Sequence, residues 1–171
     1  GDLTCAGNVL YGITTSGGLH NYGLAFSINT NGTRYKDMHD FNGADGESSY
    51  ASFLLSGKML YSVTFNGGAH DSGCIFSIDT NGNNFKDLFS FNGLNGLGPG
   101  FETLTIFGSK LFGTTTIGGS NNHGVIFSFD TNSISLSINE LTQSSGAVKL
   151  FPNPNKGVFK IQANSYQLIA P

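Results

Sequence analysis

The chain has 171 residues, a formal net charge of −3 and 11% charged residues, where an ordinary soluble domain has roughly 25%. Its eight Lys and Arg are spread without a basic stripe, which argues against nucleic-acid binding. No run reaches the ~18 apolar residues of a membrane-spanning helix. This length accommodates one domain, or one and a fragment of another. The chain begins at Gly1 without a charged-then-apolar leader, so any signal peptide is expected to have been removed or to lie outside this sequence.

Taken in chain order, Asp2–Ala6 is the first expected strand, A. Gly7-Asn8 then turns the chain, and a glycine at the first central position suits a type II′ hairpin. Val9–Thr15 is strand B, rich in β-branched and aromatic residues. Gly17-Gly18 ends it and opens a loop through His20 to Gly23. In strand C, Leu24–Asn29, the residues Leu24, Phe26 and Ile28 point one way and Ala25 and Ser27 the other. Asn31-Gly32 signals a further hairpin, and Tyr35–Phe41 is strand D. A glycine-rich loop, Asn42–Ser49, leads onward.

The same order then returns. Leu10-Tyr11-Gly12-Ile13-Thr14-Thr15-Ser16-Gly17-Gly18 becomes Leu60-Tyr61-Ser62-Val63-Thr64-Phe65-Asn66-Gly67-Gly68 and then Leu111-Phe112-Gly113-Thr114-Thr115-Thr116-Ile117-Gly118-Gly119. Residues 10–43 and 60–93 share 18 identities over 34 positions. Strand A recurs at Ser52–Ser56 and Thr103–Phe107, strand C at Cys74–Asp79 and Val125–Asp130, strand D at Phe85–Phe91. The third unit departs after Asp130-Thr131-Asn132: its hairpin glycine is missing and its strand D is Ile134–Ile138. Four antiparallel strands per fifty residues is the pattern of a propeller blade of kelch length. The expected fold is all-β: three four-stranded, kelch-like β-propeller blades at 1–49, 50–99 and 100–137. Three blades are too few to close a ring, so an open arc is expected. Phe26, Phe76 and Phe127 are its expected buried equivalents, and Cys5 and Cys74, which stand where other units place aliphatic residues, are expected as small buried hydrophobes.

These markers occur together: LYG-T-T-x-x-GG, the G-x-x-F-S-I strand and the aromatic-x-x-L/M-x-x-F strand. In that combination residues 1 to about 137 resemble the GloVer-type tandem repeats of secreted bacterial proteins. The resemblance implies a secreted, propeller-like protein and no established activity.

Beyond a linker at 138–147, residues 148–171 contain Val148-Lys149-Leu150-Phe151-Pro152-Asn153-Pro154-Asn155-Lys156-Gly157-Val158-Phe159-Lys160-Ile161. This resembles the opening of the type A sorting domain of the type IX secretion system in Bacteroidetes, a small β-sandwich that stops short here. Its motif residues are Pro152, Asn153, Pro154, Lys156 and Gly157, and the implied partner is the type IX secretion machinery.

The search for chemistry yields little. His20, His70 and His123 lie in loops of separate units and His39 aligns with Phe89, so the four argue only weakly for a convergent zinc set. Asp45 and Glu47 could be a glycosidase pair, but their copies are Asn95 and Leu97. No nucleophile elbow or P-loop occurs. No cofactor and no metal are expected, and no catalytic residue is assigned. Strand alternation puts the B–C and D–A loops on one rim, where function commonly resides. The rim holds His20, Tyr22, Asp45, Glu47, His70 and Asp71, the candidate binding residues. The expectation is a secreted or cell-surface, non-catalytic protein that binds glycans or surface proteins there. The alternatives are a structural protein that self-associates through blade edges and, more weakly, a glycoside-active propeller enzyme.

Overall fold

The structure, a computed structural model, describes residues 1–133, 135–140, 149–151 and 160–162. The chain divides into two compact units, Gly1–Leu141 and Thr142–Pro171. Among the described residues the first holds thirteen strands. They are β1 Thr4–Ala6, β2 Val9–Ile13, β3 Leu24–Asn29, β4 Lys36–Asp40, β5 Leu54–Ser56, β6 Met59–Thr64, β7 Cys74–Asp79, β8 Lys86–Ser90, β9 Leu97–Pro99, β10 Thr105–Phe107, β11 Lys110–Ile117, β12 Val125–Asp130 and β13 Ser135–Glu140. No helix occurs among the described residues. Three antiparallel sheets result, ordered β1-β2-β3-β4, β5-β6-β7-β8 and β10-β11-β12-β13, with β9 added to β11. Each four-stranded sheet is one sequence repeat, and β9, from the end of the second repeat, crosses over to pair with β11 of the third.

The glycine turns explain the tight A–B hairpins. Gly7, Gly57 and Gly108 have φ of 60, 61 and 60°, and the residue after each keeps a negative φ, the sign pattern of a type II′ turn. The C–D hairpin expected at Asn31-Gly32 is present, with a longer loop than the A–B turn. Gly32 and Arg34 are the left-handed residues there, and the Asn29 amide bonds to the Thr33 carbonyl at 2.8 Å, which lengthens the loop.

A β-bulge in strand D shapes the packing. Ala25 pairs with His39 and Phe26 with Asp37, leaving Met38 as the extra residue. Ile75, Phe89, Phe76, Asp87 and Leu88 repeat the arrangement. The bulge turns two successive side chains, 38 and 39 or 88 and 89, toward the next sheet. The third sheet has an unbroken register and no such pair.

Two cores fill the junctions between sheets. Tyr11, Ala25, Met38 and Phe41 of the first sheet meet Phe53, Leu60, Phe76 and Ile78 of the second. Val63, Ile75 and Phe91 of the second unit meet Leu104, Leu111, Phe127 and Phe129 of the third. The alternation of strand C is thereby explained: Phe76 and Ile78 face backward in the array, Ile75 forward. Each buried Phe contributes about 1.5–3 kcal/mol of transfer free energy.

This arrangement corrects two expectations. Phe76 and Phe127 are buried, at 0 and 1% exposure, but Phe26 is only half-buried. Cys74 is buried and Cys5 is exposed. The cause is shared: the equivalents of Phe26 and Cys5 face the preceding sheet, and among the described residues of the first unit no sheet precedes the first. The final strand also reaches Glu140 because β12 pairs along its whole length, so the segment expected as linker from 138 begins as strand.

In the second unit, β14 Lys149–Phe151 pairs antiparallel with β15 Lys160–Gln162. Pro152, Asn153, Pro154, Lys156 and Gly157, the expected sorting motif, lie outside the described residues.

Candidate functional loop rim

The rim is built by the repeat motif itself. The threonine that ends strand B accepts the first amide of strand C through its hydroxyl: Leu24 N to Thr14 Oγ1 at 3.0 Å, Cys74 N to Thr64 Oγ1 at 3.2 Å, Val125 N to Thr115 Oγ1 at 3.1 Å. The same threonines hold the incoming loop. A Cβ on Gly46 would lie 2.6 Å from Thr64 Cγ2, and one on Gly96 2.6 Å from Thr115 Cγ2. The double glycines complete the seat, since Gly68 donates to the Gly43 carbonyl and Gly119 to the Gly93 carbonyl, each at 2.9 Å. The D–A loop of one unit is thus clamped onto the B–C turn of the next.

The loops also meet within a unit. Ser48 N donates to the Tyr22 carbonyl at 3.0 Å, and Gly98 N to the Ser72 carbonyl at 3.1 Å. The B–C and D–A loops therefore share one rim, as strand alternation requires.

Several expected binding residues also hold the turns of the rim together. Asp45 Oδ1 accepts the Asn42 amide at 3.0 Å, while Oδ2 accepts Asn42 Nδ2 at 2.9 Å and lies 3.0 Å from His39 Nε2. Asn95 makes the corresponding bond to the Asn92 amide at 2.9 Å. The carboxylate of Asp45 is engaged in its own turn, and a neutral amide does that task in the next unit. Asp71 Oδ1 accepts the Gly67 amide at 3.0 Å from a left-handed backbone, φ 51°. Asn21 and Asn122 do the same for Gly17 and Gly118, because Asn and Asp tolerate this conformation best among non-glycine residues. Glu47 pairs through its backbone with Asn66, at 2.9 and 3.1 Å.

The remaining expected residues are open. His20 and His70 are exposed on separate turns, and the Tyr22 ring lies over Gly43. No group of three or more His, Cys, Asp or Glu suited to a metal occurs among the described residues. Cys74 is unsuited to chemistry, since burial pushes its thiol up to about 12.

A cluster that sequence reading missed stands beside these loops. Tyr50 and Phe101 stack with centroids 5.2 Å apart and planes at 21°. Phe65 meets both edge-on, at 5.7 and 5.2 Å. Tyr50 is 40% and Phe101 58% exposed. The signal was present: both stand two residues before a strand A, at matching places in successive repeats. Phe65 follows the clamping Thr64, and its amide donates to the Ser48 carbonyl at 3.2 Å.

Fold and rim together define a propeller-like repeat protein. One similar solved structure is a nidogen/laminin complex, at TM-score 0.50 and 13% identity over 75% of this chain and 41% of that one. A second is the tricorn protease, at TM-score 0.50 and 15% identity over 86% and 14%. TolB from Acinetobacter baumannii aligns at TM-score 0.48 and 19% identity over 81% and 31%. The chain spans less than half the length of each. No curated protein sequence matches it. The Gloeobacter/Verrucomicrobia repeat model matches residues 1–166, and the chain belongs to that repeat family.

Proposed function

We propose that this is a non-catalytic binding protein of the cell exterior that holds a glycan on its loop rim. The exposed Tyr50–Phe65–Phe101 cluster carries the reading. Exposed aromatic groups of this kind mark ligand or partner surfaces, and a flat ring face suits the C–H face of a pyranose. Tyr22 and the histidines at 20 and 70 supply polar groups on the same rim. The engagement of Asp45 in its own turn supports binding over glycoside hydrolysis.

The test is a glycan array followed by titration of any hit, read by chemical shifts of the Tyr50 and Phe101 rings. The expected result is a hit whose affinity falls at least tenfold in Phe101→Ala, with thermal stability retained. Absence of any glycan hit, or a hit indifferent to Phe101→Ala, would sink the reading.

Secretion and surface placement belong to the same proposal. The low charge content and the strand–Pro-Asn-Pro–Lys-Gly–strand order of the tail support a type IX sorting role for residues 148–171. The fifty-residue blade with an aromatic strand before its double glycine supports a kelch-like layout. Export of a reporter fused to this tail, in a host with and without type IX secretion, tests the sorting role: equal export in both hosts overturns it.

A further inference from the structure

The geometry points to a second copy of this chain as the occupant of the two end sheet faces of the first unit, docked head to tail. The two internal junctions are the templates. In the first, Tyr11, Ala25 and His39 face Phe53, Phe76 and Phe85. In the second, Tyr61, Ile75 and Phe89 face Leu104, Phe127 and Leu136.

The equivalent sets at the ends face no further sheet among the described residues of unit one. On the third sheet they are Phe112 and Ile126, 37 and 42% exposed, with Asn139 beside Ile126 on the adjacent strand. On the first sheet they are Leu3 and Tyr35, 54 and 58% exposed, with Phe26 half-buried between them. The residues matching Leu3 and Ile126 in the internal junctions are 3 and 0% exposed, at Phe53 and Ile75.

The end faces have changed in step. At the first junction His39 stacks on Phe85. At a junction between copies the corresponding pair is Asn139, opposite Ile126 as His39 is opposite Ala25, with Tyr35, which stands where Phe85 does. An amide would meet a phenol, polar to polar. Hydrogen bonding agrees. Thr4 Oγ1 donates to the Phe53 carbonyl across the first junction at 2.6 Å. The second junction has Leu54 at that place and no hydroxyl. Thr105 restores it on the third sheet, at the place from which Thr4 reaches Phe53, whose equivalent in the other copy is Leu3. It lines a groove of about 280 Å³ with Phe112 and Ile126, the seat for Leu3 and Phe26.

Such contacts are heterologous and either close or run on. Two copies of residues 1–140 bring six sheets, within the 4–8 blades of closed propellers, so the assembly expected of this 171-residue chain taken by itself is a two-fold ring with two identical junctions. This inference is independent of the glycan reading.

Sedimentation of the full chain over a concentration series tests it, with Ile126→Asp and Leu3→Asp as variants of the two opposite faces. Both residues are exposed, so circular dichroism should stay that of the parent. The parent is expected as a dimer and each variant as a monomer. An equimolar mixture of the two variants should recover a weaker dimer, because it retains one intact junction. A parent monomeric at every concentration, a dimer that survives Ile126→Asp, or no association on mixing would each overturn the proposal.

Discussion

The imidazole of His39 lies flat on the ring of Phe85, with centroids 3.6 Å apart and planes 7° from parallel. The pair joins the first sheet to the second, and its geometry depends on the bulge at Met38. Stacked aromatic pairs contribute about 0.5–1.5 kcal/mol beyond area burial. His39→Ala should therefore lower stability by about 1–2 kcal/mol in urea denaturation. His39→Phe copies the residue at Phe89 and should recover most of the loss. A variant pair with equal midpoints would remove the stack from the account of this junction.

Burial at junctions should separate residues that the sequence makes look alike. Phe76→Ala should cost about 3–5 kcal/mol. Phe26→Ala should cost far less when both are measured in the monomeric Ile126→Asp chain, because Phe26 faces the uncovered side. Equal losses would mean that the first sheet is covered in the monomer.

That contrast marks the limit of sequence reading. Strand C was legible to the residue, at Leu24–Asn29, because its alternation reflects two different neighbours. Type II′ turns were legible from Gly7, Gly57 and Gly108. The burial of Phe26 and Cys5 was not, since burial depends on whether a neighbouring sheet exists, and repeats carry the same letters either way. The bulge was hidden because it breaks the period-2 rule that reveals strands. On the rim, the roles of Asp45 and Asp71 were masked by exchange with Asn95, Asn21 and Asn122. An acidic residue invites a chemical reading, and only the hydrogen bonds show that an amide serves equally. Tyr50 and Phe101 were overlooked because they stand in loops where no strand pattern directs attention.

Charge placement in strand D predicts a pH-dependent gain. Burial, and then the nearby Asp40 carboxylate, raise the Asp37 carboxyl above its ordinary value. In the second unit Ser90 occupies the place of Asp40 and donates to Asp87 at 2.7 Å, while accepting the Ala69 amide at 3.0 Å. A raised carboxylate pKa means the folded state binds the proton more tightly than the unfolded one. Stability then falls as pH rises from the unfolded value of 3.8 through the folded one. Asp40→Ser should remove part of that loss. The expected melting temperature is higher than the parent's at pH 7 and converges with it below the unfolded carboxylate range. A gain of the same size in acid would assign it to something other than charge.

The clamp between loops makes the sharpest distinction among the glycines. Gly57 and Gly67 both have left-handed backbones, φ 61 and 75°. An added Cβ at Gly57 meets nothing within 4 Å, whereas one at Gly67 lies 2.5 Å from the Gly43 carbonyl oxygen, 2.6 Å from Gly46 C and 2.8 Å from Glu47 N. All three are backbone atoms, so they cannot rotate away. Gly57→Ala should cost only the left-handed strain, about 1–2 kcal/mol. Gly67→Ala carries the same strain and must also part the D–A loop from the turn that seats it. Its cost should exceed that of Gly57→Ala by at least ~2 kcal/mol, within the range of large single-site effects. The same displacement would move Ser48 and Phe65, so any glycan bound by Tyr50, Phe65 and Phe101 should be lost in Gly67→Ala and kept in Gly57→Ala. Denaturation midpoints and the ring chemical shifts measure the two effects separately, and equal costs for the two variants would show that the clamp does not hold the rim.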